Sequence, residues 1–203
     1  MLLTSAAIPF AATWHSARGL ARHRRARPWV GPPDLVLLDR DGTLVEDVPY
    51  NGDKEKVRPV PGAKEALDRL RHAGVRVGMV TNQSGVAQGL LAEEDARAVN
   101  AEVERRLGPF EVVEMCPHGR DDGCDCRKPA PGMVERACER LGVRTGRCVV
   151  IGDIESDVRA GEAAGGGGIL VPTPATDPVE VLRVPRTARS LGEAVDLVLA
   201  GRW

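Results

Sequence analysis

The sequence predicts an α/β fold with a mainly parallel sheet that is covered by helices on both faces. Short apolar runs without a polar break, such as residues 35–38 and 148–151, are typical of strands that are buried on both faces. These runs alternate with segments whose apolar residues recur at helical spacing, as at Ala63, Ala66 and Leu70. Such an alternation predicts parallel pairing of the strands, with the helices as crossovers.

The predicted elements follow one another with short connections. In chain order, the predicted strands span residues 35–38, 75–80, 110–115, 148–151 and 169–171. One helix begins after Gly62 and ends near Gly74, and the other predicted helices span residues 92–107, 131–141, 155–164 and 191–199. Because these connections leave no room for a second domain, residues 34–203 are predicted to form a single domain.

Residues 1–33 differ in composition from the rest of the chain. They contain no Asp or Glu, whereas five arginines lie between residues 18 and 27, with two histidines nearby. This composition resembles that of a transit peptide, and a missed start site or a disordered basic arm are the alternatives. We expect the segment to be an extension that lies outside the folded domain.

Charge and aromatic content exclude several classes of function. The formal net charge is −1 and aromatic residues make up 3% of the chain, so neither a basic field nor a stacking platform indicates a nucleic-acid partner. No stretch approaches the roughly 18 apolar residues of a membrane span. We expect a cytoplasmic monomer whose partner is a small molecule rather than a nucleic acid or a membrane.

Four potential metal ligands lie close together with the spacing C-x-H-x5-C-x-C, namely Cys116, His118, Cys124 and Cys126. Thiolate and imidazole are ligands of tetrahedral zinc, and four of them close the site, so the zinc is predicted to be structural. Clustered cysteines also favour a metal in a reducing compartment over a disulfide framework. A chance grouping, a redox pair and an iron–sulfur site are the alternatives. Cys138 and Cys148 are predicted to be core residues.

Polar side chains follow three of the predicted strands. These strands end at Asp39-Arg-Asp41-Gly, at Thr81-Asn82 and at Gly152-Asp153. Because the carboxyl ends of parallel strands share one edge of a sheet, these residues are expected to converge there with Lys128. Acids hold a hard cation such as Mg²⁺, and a hydroxyl and an ammonium hold an anion, so the set indicates phosphoryl transfer. The alternative for Asp39–Gly42 is a turn that merely ends a strand.

In their order and spacing these residues resemble the four motifs of the haloacid dehalogenase (HAD) superfamily of phosphatases, across about residues 35–171. The resemblance implies a Rossmann-like HAD fold and a Mg²⁺-dependent phosphoric monoester hydrolase that forms an aspartyl-phosphate. It implies that Asp39 is the nucleophile, that Asp41 is the general acid and base, and that Thr81 and Lys128 stabilise the phosphoryl group. The implied Mg²⁺ ligands are Asp39, Asp41 through its backbone carbonyl, and Asp153, supported by Asp157.

The zinc loop is similar to that of a branch of this superfamily without a cap domain, in which the loop forms part of the wall over the site. That branch hydrolyses the 7-phosphate of D-glycero-D-manno-heptose 1,7-bisphosphate or, in other members, histidinol phosphate. Tyr50 and Arg127 match substrate residues of the heptose enzymes, so the bisphosphate is the first expectation. The short gap between His118 and Cys124 is as in the histidinol enzymes, which keeps histidinol phosphate as the alternative, and another small sugar phosphate also stays open. The implied substrate-binding residues are Asp47, Tyr50, Asn82, Gln83, Ser84 and Arg127.

One residue departs from the pattern of the heptose enzymes. They often carry Lys directly after the aspartate of the fourth motif, whereas this chain has Ile154 after Asp153. The departure bears on the substrate and on the detail of the metal site, but Asp153 itself is present.

A zinc-loop binding module, whose basic arm contacts nucleic acid, is the alternative outside the enzymes. Against it, the basic residues of the arm stand apart from the acidic remainder of the chain.

Overall fold

The centre of the structure is a five-stranded sheet in which every pair of neighbouring strands is parallel. A computed structural model describes residues 31–203, so the predicted extension at residues 1–33 lies outside the described residues except for its last three. The strands are β1 (Leu35–Leu38), β2 (Arg76–Asn82), β3 (Val112–Cys116), β4 (Cys148–Gly152) and β5 (Gly167–Leu170), in the order β3-β2-β1-β4-β5. The direction of winding reverses between β1 and β4, which is where open α/β sheets bind their ligands.

The helices occupy the connections between the strands and follow the last strand. They are α1 (Ala63–His72), α2 (Glu93–Leu107), α3 (Gly132–Leu141), α4 (Glu155–Ala163), α5 (Pro178–Arg183) and α6 (Leu191–Leu199). Two differences from the prediction stand out. Strand β2 continues through Thr81 and Asn82, so these two residues belong to the strand itself. Helix α5 was not predicted, because it has six residues, none of them buried, and therefore shows no apolar pattern.

Two hydrophobic clusters pack on opposite faces of the sheet. Strand β1 contributes to both, since Val36 and Leu38 belong to one cluster and Leu35 and Leu37 to the other, and all four side chains are fully buried. The first cluster includes the apolar faces of α1, α2 and α6, and the second includes that of α3. The prediction of a parallel sheet covered on both faces is therefore confirmed.

Two long connections rise from the carboxyl edge of the sheet, at residues 39–62 and 117–131. Apart from a short 3₁₀ turn at Lys54–Lys56, neither contains a helix or strand, and no cap domain occurs within residues 31–203. The carboxyl ends of β1 and β4 are therefore covered by loops and not by a cap domain.

Across residues 31–203, no helix has both the length and the apolar character required to cross a membrane.

The first prediction concerns the close packing of α4 on β5. A Cβ atom at Gly168 would lie 2.7 Å from the Cα atom of Val158, where the backbone cannot yield without a shift of the helix. We expect Gly168→Ala to lower the free energy of unfolding by about 1–3 kcal/mol, as overpacking of a core does. Urea unfolding measures the change.

Gly192→Ala is the matched control, because Gly192 lies in α6 and a Cβ atom there would be 3.8 Å from the nearest atom, Ser190 Oγ. Alanine is the better helix former, so this variant is expected to be as stable as the unmodified protein or more stable, by about 0.5–1 kcal/mol. A Gly168→Ala variant that unfolds at the same urea concentration as the unmodified chain would contradict the tight α4–β5 contact.

Candidate active site and metal centre

A buried lysine joins two carboxylates at the carboxyl edge of the sheet. The ammonium of Lys128 forms ion pairs with Asp39, which directly follows β1, and with Asp157, which lies in the first turn of α4. The distance from Lys128 Nζ to Asp157 Oδ1 is 2.6 Å. Lys128 also donates to the Val80 carbonyl at 3.1 Å. Burial lowers the pKa of Lys128, but the charges of Asp157 and Asp39 outweigh burial and raise it above its ordinary value. The lysine is therefore charged although it is almost completely buried.

Asn82 fixes the backbone that carries this lysine. Its Oδ1 accepts the Lys128 N–H at 3.1 Å, and its Nδ2 donates to the Lys128 carbonyl at 3.2 Å. The last residue of β2 thus holds the end of the cysteine-rich loop in place. Asn82 was predicted to bind substrate; both ends of its amide contact Lys128, and the residue also lines the cleft.

Three carboxylates form the group that best fits a divalent cation. One oxygen each of Asp39, Asp153 and Asp157 lies within 4.8 Å of the others. Burial, reinforced by neighbouring carboxylates, raises the pKa of Asp39 well above its ordinary value although Lys128 opposes the shift. Burial and the charge of Asp157 raise the pKa of Asp153 to about 7. Three acids beside one lysine leave excess negative charge, which a hard cation such as Mg²⁺ with oxygen ligands would balance.

The space beside these acids depends on Gly42. This residue has φ of 76°, and a Cβ atom there would lie 2.4 Å from Oδ2 of Asp153. Because glycine has no side chain, the turn at Gly42 can approach Asp153 at the end of β4 more closely than any other residue would allow.

The carboxylate of Asp41 lines the same cleft and is held by Arg40 and Gln83. Gln83 Nε2 lies 2.8 Å from Asp41 Oδ2 and also 2.8 Å from Thr81 Oγ1, so one amide links the predicted acid to the predicted phosphoryl-binding hydroxyl. The Mg²⁺ ligand expected at Asp41 is its backbone carbonyl, which stays a prediction.

The predicted substrate residues fall in two adjoining places. Five of them line one cleft together with Asp39, Asp41, Lys128 and Asp153, namely Asp47, Tyr50, Asn82, Gln83 and Ser84. Arg127 instead lines a neighbouring cavity together with Arg120, and the cleft and the cavity share Asn82, Ser84, Lys128 and Ile154. The exposed ring of Tyr50 forms the rim, where it packs against Gly85.

The four predicted zinc ligands come together at the end of β3. Their ligand atoms all lie within 4.8 Å of one another, and Cys116 Sγ is 3.8 Å from Cys124 Sγ and 3.6 Å from His118 Nδ1. Tetrahedral zinc with Zn–S bonds of about 2.3 Å places its sulfur ligands about 3.7 Å apart. The Cys116–Cys124 distance matches this value and the Cys116–Cys126 distance of 3.1 Å is shorter, so the donor set fits zinc once the second pair opens slightly. Burial, and then a hydrogen bond with Cys126, raises the pKa of the Cys116 thiol to about 12, and a bound zinc ion would hold it as the thiolate.

Arg40 and Asn100 join the site although the sequence analysis did not predict them. Arg40, which separates the two aspartates of the first motif, is 1% exposed and contacts both Asp41 and Asn100. The available signal was Asn100, a polar residue on the apolar face of the helix that packs beside the predicted site.

The parallel sheet and the lysine-linked acids at its carboxyl edge define a hydrolase of the haloacid dehalogenase type, and the chain belongs to this family. The model of the haloacid dehalogenase-like hydrolases matches residues 47–165. A relative from Pseudomonas aeruginosa, a D-glycero-beta-D-manno-heptose-1,7-bisphosphate 7-phosphatase, is 37% identical over 144 residues, which cover 68% of this chain and 81% of the relative. An enzyme of the same name from Rhodopseudomonas palustris is 40% identical over 141 residues, 64% of this chain and 78% of the relative.

A solved structure shows the same fold. The D,D-heptose 1,7-bisphosphate phosphatase from B. bronchiseptica, complexed with magnesium and phosphate, is similar with a TM-score of 0.74 and 32% identity, over 82% of this chain and 98% of that one. Together these findings confirm the predicted family, the fold class and the enzyme class of phosphoric monoester hydrolase, and magnesium, the predicted cofactor, is bound in the similar structure. The roles of the individual side chains stay predictions.

The second prediction concerns the cysteine and histidine group. Cys124→Ser removes one thiolate, so we expect it to lower zinc content and to reduce the melting temperature by at least about 5 °C. The reason is that a loop rich in Gly and Asp has little apolar surface of its own to hold it in place. Thermal unfolding followed by circular dichroism, together with metal analysis, measures both effects.

A zinc chelator applied to the unmodified protein should reproduce the loss of stability, and should have little further effect on Cys124→Ser. If chelation removed zinc while the melting temperature stayed the same, zinc would not stabilise the fold.

Proposed function

We propose that the chain hydrolyses the 7-phosphate of D-glycero-D-manno-heptose 1,7-bisphosphate through an aspartyl-phosphate. The observation that carries the proposal is the junction of two spaces, the cleft of Asp39 and Lys128 and the cavity lined by Arg120 and Arg127. We assign one phosphate to the cleft beside Asp39 and Lys128 and the second to the cavity of the two arginines, whose lining also includes Glu180. The named activity of the relatives supports the same substrate.

In the first half of the reaction, a carboxylate oxygen of Asp39 attacks phosphorus and forms an acyl phosphate. The bond between phosphorus and the sugar oxygen breaks, and Asp41 gives its proton to that oxygen, so the sugar leaves as an alcohol. In the second half, Asp41 takes a proton from water, which attacks phosphorus and releases Asp39 and inorganic phosphate. Both acids line the cleft, so substrate can reach them from the same side.

The remaining polar groups stabilise charge on the transferring phosphoryl group. Lys128 supplies a buried ammonium beside Asp39, and the Thr81 hydroxyl lies at the end of β2 with Gln83 as its partner. Positive charge in a buried site acts strongly on the oxygens of the transition state. Asp39, the Asp41 carbonyl and Asp153, with Asp157 beside them, would hold Mg²⁺, which supplies further positive charge at the phosphate oxygens.

Arg127 is assigned to the 1-phosphate. A guanidinium binds a phosphate with two parallel hydrogen bonds. Histidinol phosphate has a single phosphate, which reacts at Asp39, so it has no second phosphate for Arg127 to bind. Nη1 of Arg127 donates to the His118 carbonyl at 3.2 Å, so the zinc loop orients this side chain and leaves its other nitrogens for a ligand. Asp47, Tyr50 and Ser84 are assigned to the sugar because they line the cleft around the acids.

Three further assignments complete the proposal. The protein acts as a cytoplasmic monomer, its zinc is structural and takes no part in the reaction, and no nucleic acid is its partner. The low aromatic content and the net charge of −1 support the last point.

The third prediction tests the nucleophile. Asp39→Asn keeps the size of the side chain but removes the charge that attacks phosphorus, so we expect kcat to fall by about 10⁴-fold or more. Steady-state release of inorganic phosphate with Mg²⁺ measures the loss. The control is Asp68→Asn, an exposed aspartate of α1, which should retain full activity. Substantial turnover by freshly purified Asp39→Asn would rule out Asp39 as the nucleophile.

The fourth prediction tests the substrate. With Mg²⁺ present, the kcat/KM of the purified protein for the heptose 1,7-bisphosphate is expected to be at least about tenfold higher than its kcat/KM for histidinol phosphate. The reason is that binding of the second phosphate lowers the free energy of the transition state. Parallel assays of phosphate release measure both values. Turnover of histidinol phosphate with an equal or higher kcat/KM would overturn the heptose assignment in favour of the histidinol one.

Arg127→Ala separates the contribution of the second phosphate from the chemistry. The variant should lower kcat/KM for the bisphosphate by about tenfold or more, since a charged hydrogen-bonding partner is lost. It should change kcat/KM for the heptose 7-monophosphate much less. Equal losses on the two substrates would show that Arg127 does not bind the 1-phosphate.

A further inference from the structure

Asp41 is held by hydrogen bonds from two different parts of the chain. Nε of Arg40 lies 3.0 Å from Asp41 Oδ1, and Nη2 of Arg40 lies 2.9 Å from Asp41 Oδ2. Gln83 Nε2 donates to the same Oδ2 at 2.8 Å. A planar guanidinium that contacts both oxygens fixes the plane of the carboxylate. The side chain of Asp41 is still 24% exposed toward the cleft, so the fixed carboxylate remains accessible.

Arg40 is in turn held by Asn100 of α2. Nη1 of Arg40 donates to Asn100 Oδ1 at 2.8 Å, and both side chains are buried. Asn100 lies on the helix face formed by Val99 and Val103, where the apolar pattern otherwise continues. Its Nδ2 has the Met115 sulfur as partner, at 3.7 Å. A buried amide in an apolar face costs free energy unless it is paired, so the bond to Arg40 accounts for its presence.

We propose that Asn100 is a positioning residue for Asp41 and acts through Arg40. The inference rests on the proposed function, because it concerns the acid that was assigned there to Asp41. The bond to Asn100 fixes the third nitrogen of the guanidinium, and with it the direction in which Nε and Nη2 face Asp41.

The proton step makes this role measurable. When the bond from phosphorus to the leaving oxygen breaks, the proton of Asp41 moves to that oxygen. A sugar alkoxide is a strong base and needs the proton, whereas p-nitrophenolate is a weak base and leaves without it. A displaced Asp41 therefore slows the first half of the reaction, formation of the aspartyl-phosphate, selectively for alkyl phosphates, and kcat/KM reports this half. A general loosening of the fold slows alkyl and aryl phosphates alike.

The fifth prediction compares two substrates in the same preparation of Asn100→Leu, with Mg²⁺ present. The variant keeps the branched shape and the number of side-chain heavy atoms of Asn100 but removes the acceptor for Arg40. We expect the ratio of kcat/KM for the heptose bisphosphate to kcat/KM for p-nitrophenyl phosphate to fall by about tenfold or more. The ratio is independent of the fraction of protein that is folded, and kcat/KM includes departure of the leaving group.

Two further variants define the result. Asn100→Asp retains an oxygen acceptor and should restore the ratio to within about threefold of the unmodified protein. Val103→Ala lies on the same buried face and should lower stability without changing the ratio. An unchanged ratio in Asn100→Leu, or the same fall in Val103→Ala, would overturn the positioning role.

The test also separates this inference from the proposed substrate. If the unmodified protein did not hydrolyse the heptose bisphosphate, the substrate proposal would fail. The ratio would then be measured with glycerol 1-phosphate as the alkyl substrate, and a selective fall in Asn100→Leu would still support the role of Asn100.

Discussion

The buried pairing of Lys128 with Asp39 and Asp157 is the interaction on which the rest of the site depends. A charge removed from water is tolerated only when opposite charges and hydrogen bonds compensate it. The compensation here comes from the end of β1 and from α4, while Asn82 of β2 holds the backbone of Lys128. Loss of any one partner would leave a charge buried without compensation, so the same contacts that order the site also fix the relative positions of these segments.

The cysteine and histidine group lies next to this lysine along the chain. Cys116 is the last residue of β3, and Cys126 is two residues before Lys128. Both sulfurs are buried, and they lie 3.1 Å apart. The group therefore closes the loop at both of its ends, and the second end leads directly into Lys128. Through this arrangement a zinc ion held by the four ligands would contribute to the site without contact with the reacting atoms.

The predicted substrate residues lie largely on loops above the sheet, and no cap domain occurs within residues 31–203. Within residues 31–203, the walls of the cleft come mainly from the connection after β1, which carries Asp47 and Tyr50, and from the segment after β2, which carries Ser84, while the cysteine-rich loop lines the neighbouring cavity with Arg127. These walls stand on the rigid end of a parallel sheet. Changes in the loops can therefore alter the substrate while the acids and the lysine keep their geometry.

The sequence predicted all five strands and every helix except α5 in chain order, together with the parallel sheet and the two groups of polar residues. It could do so because buried strands, amphipathic helices and ligand spacings are local patterns. Tertiary structure alone decided that Arg127 faces a cavity beside the cleft, that Asn82 clamps Lys128, and that Asn100 reaches Arg40 across 60 positions of the chain. The physical reason is that such contacts depend on the packing of α2 and the loops against the sheet. No local sequence pattern predicts a contact between residues so far apart in the chain. The one indication of the Arg40–Asn100 contact in the sequence was a polar residue on the apolar face of a helix.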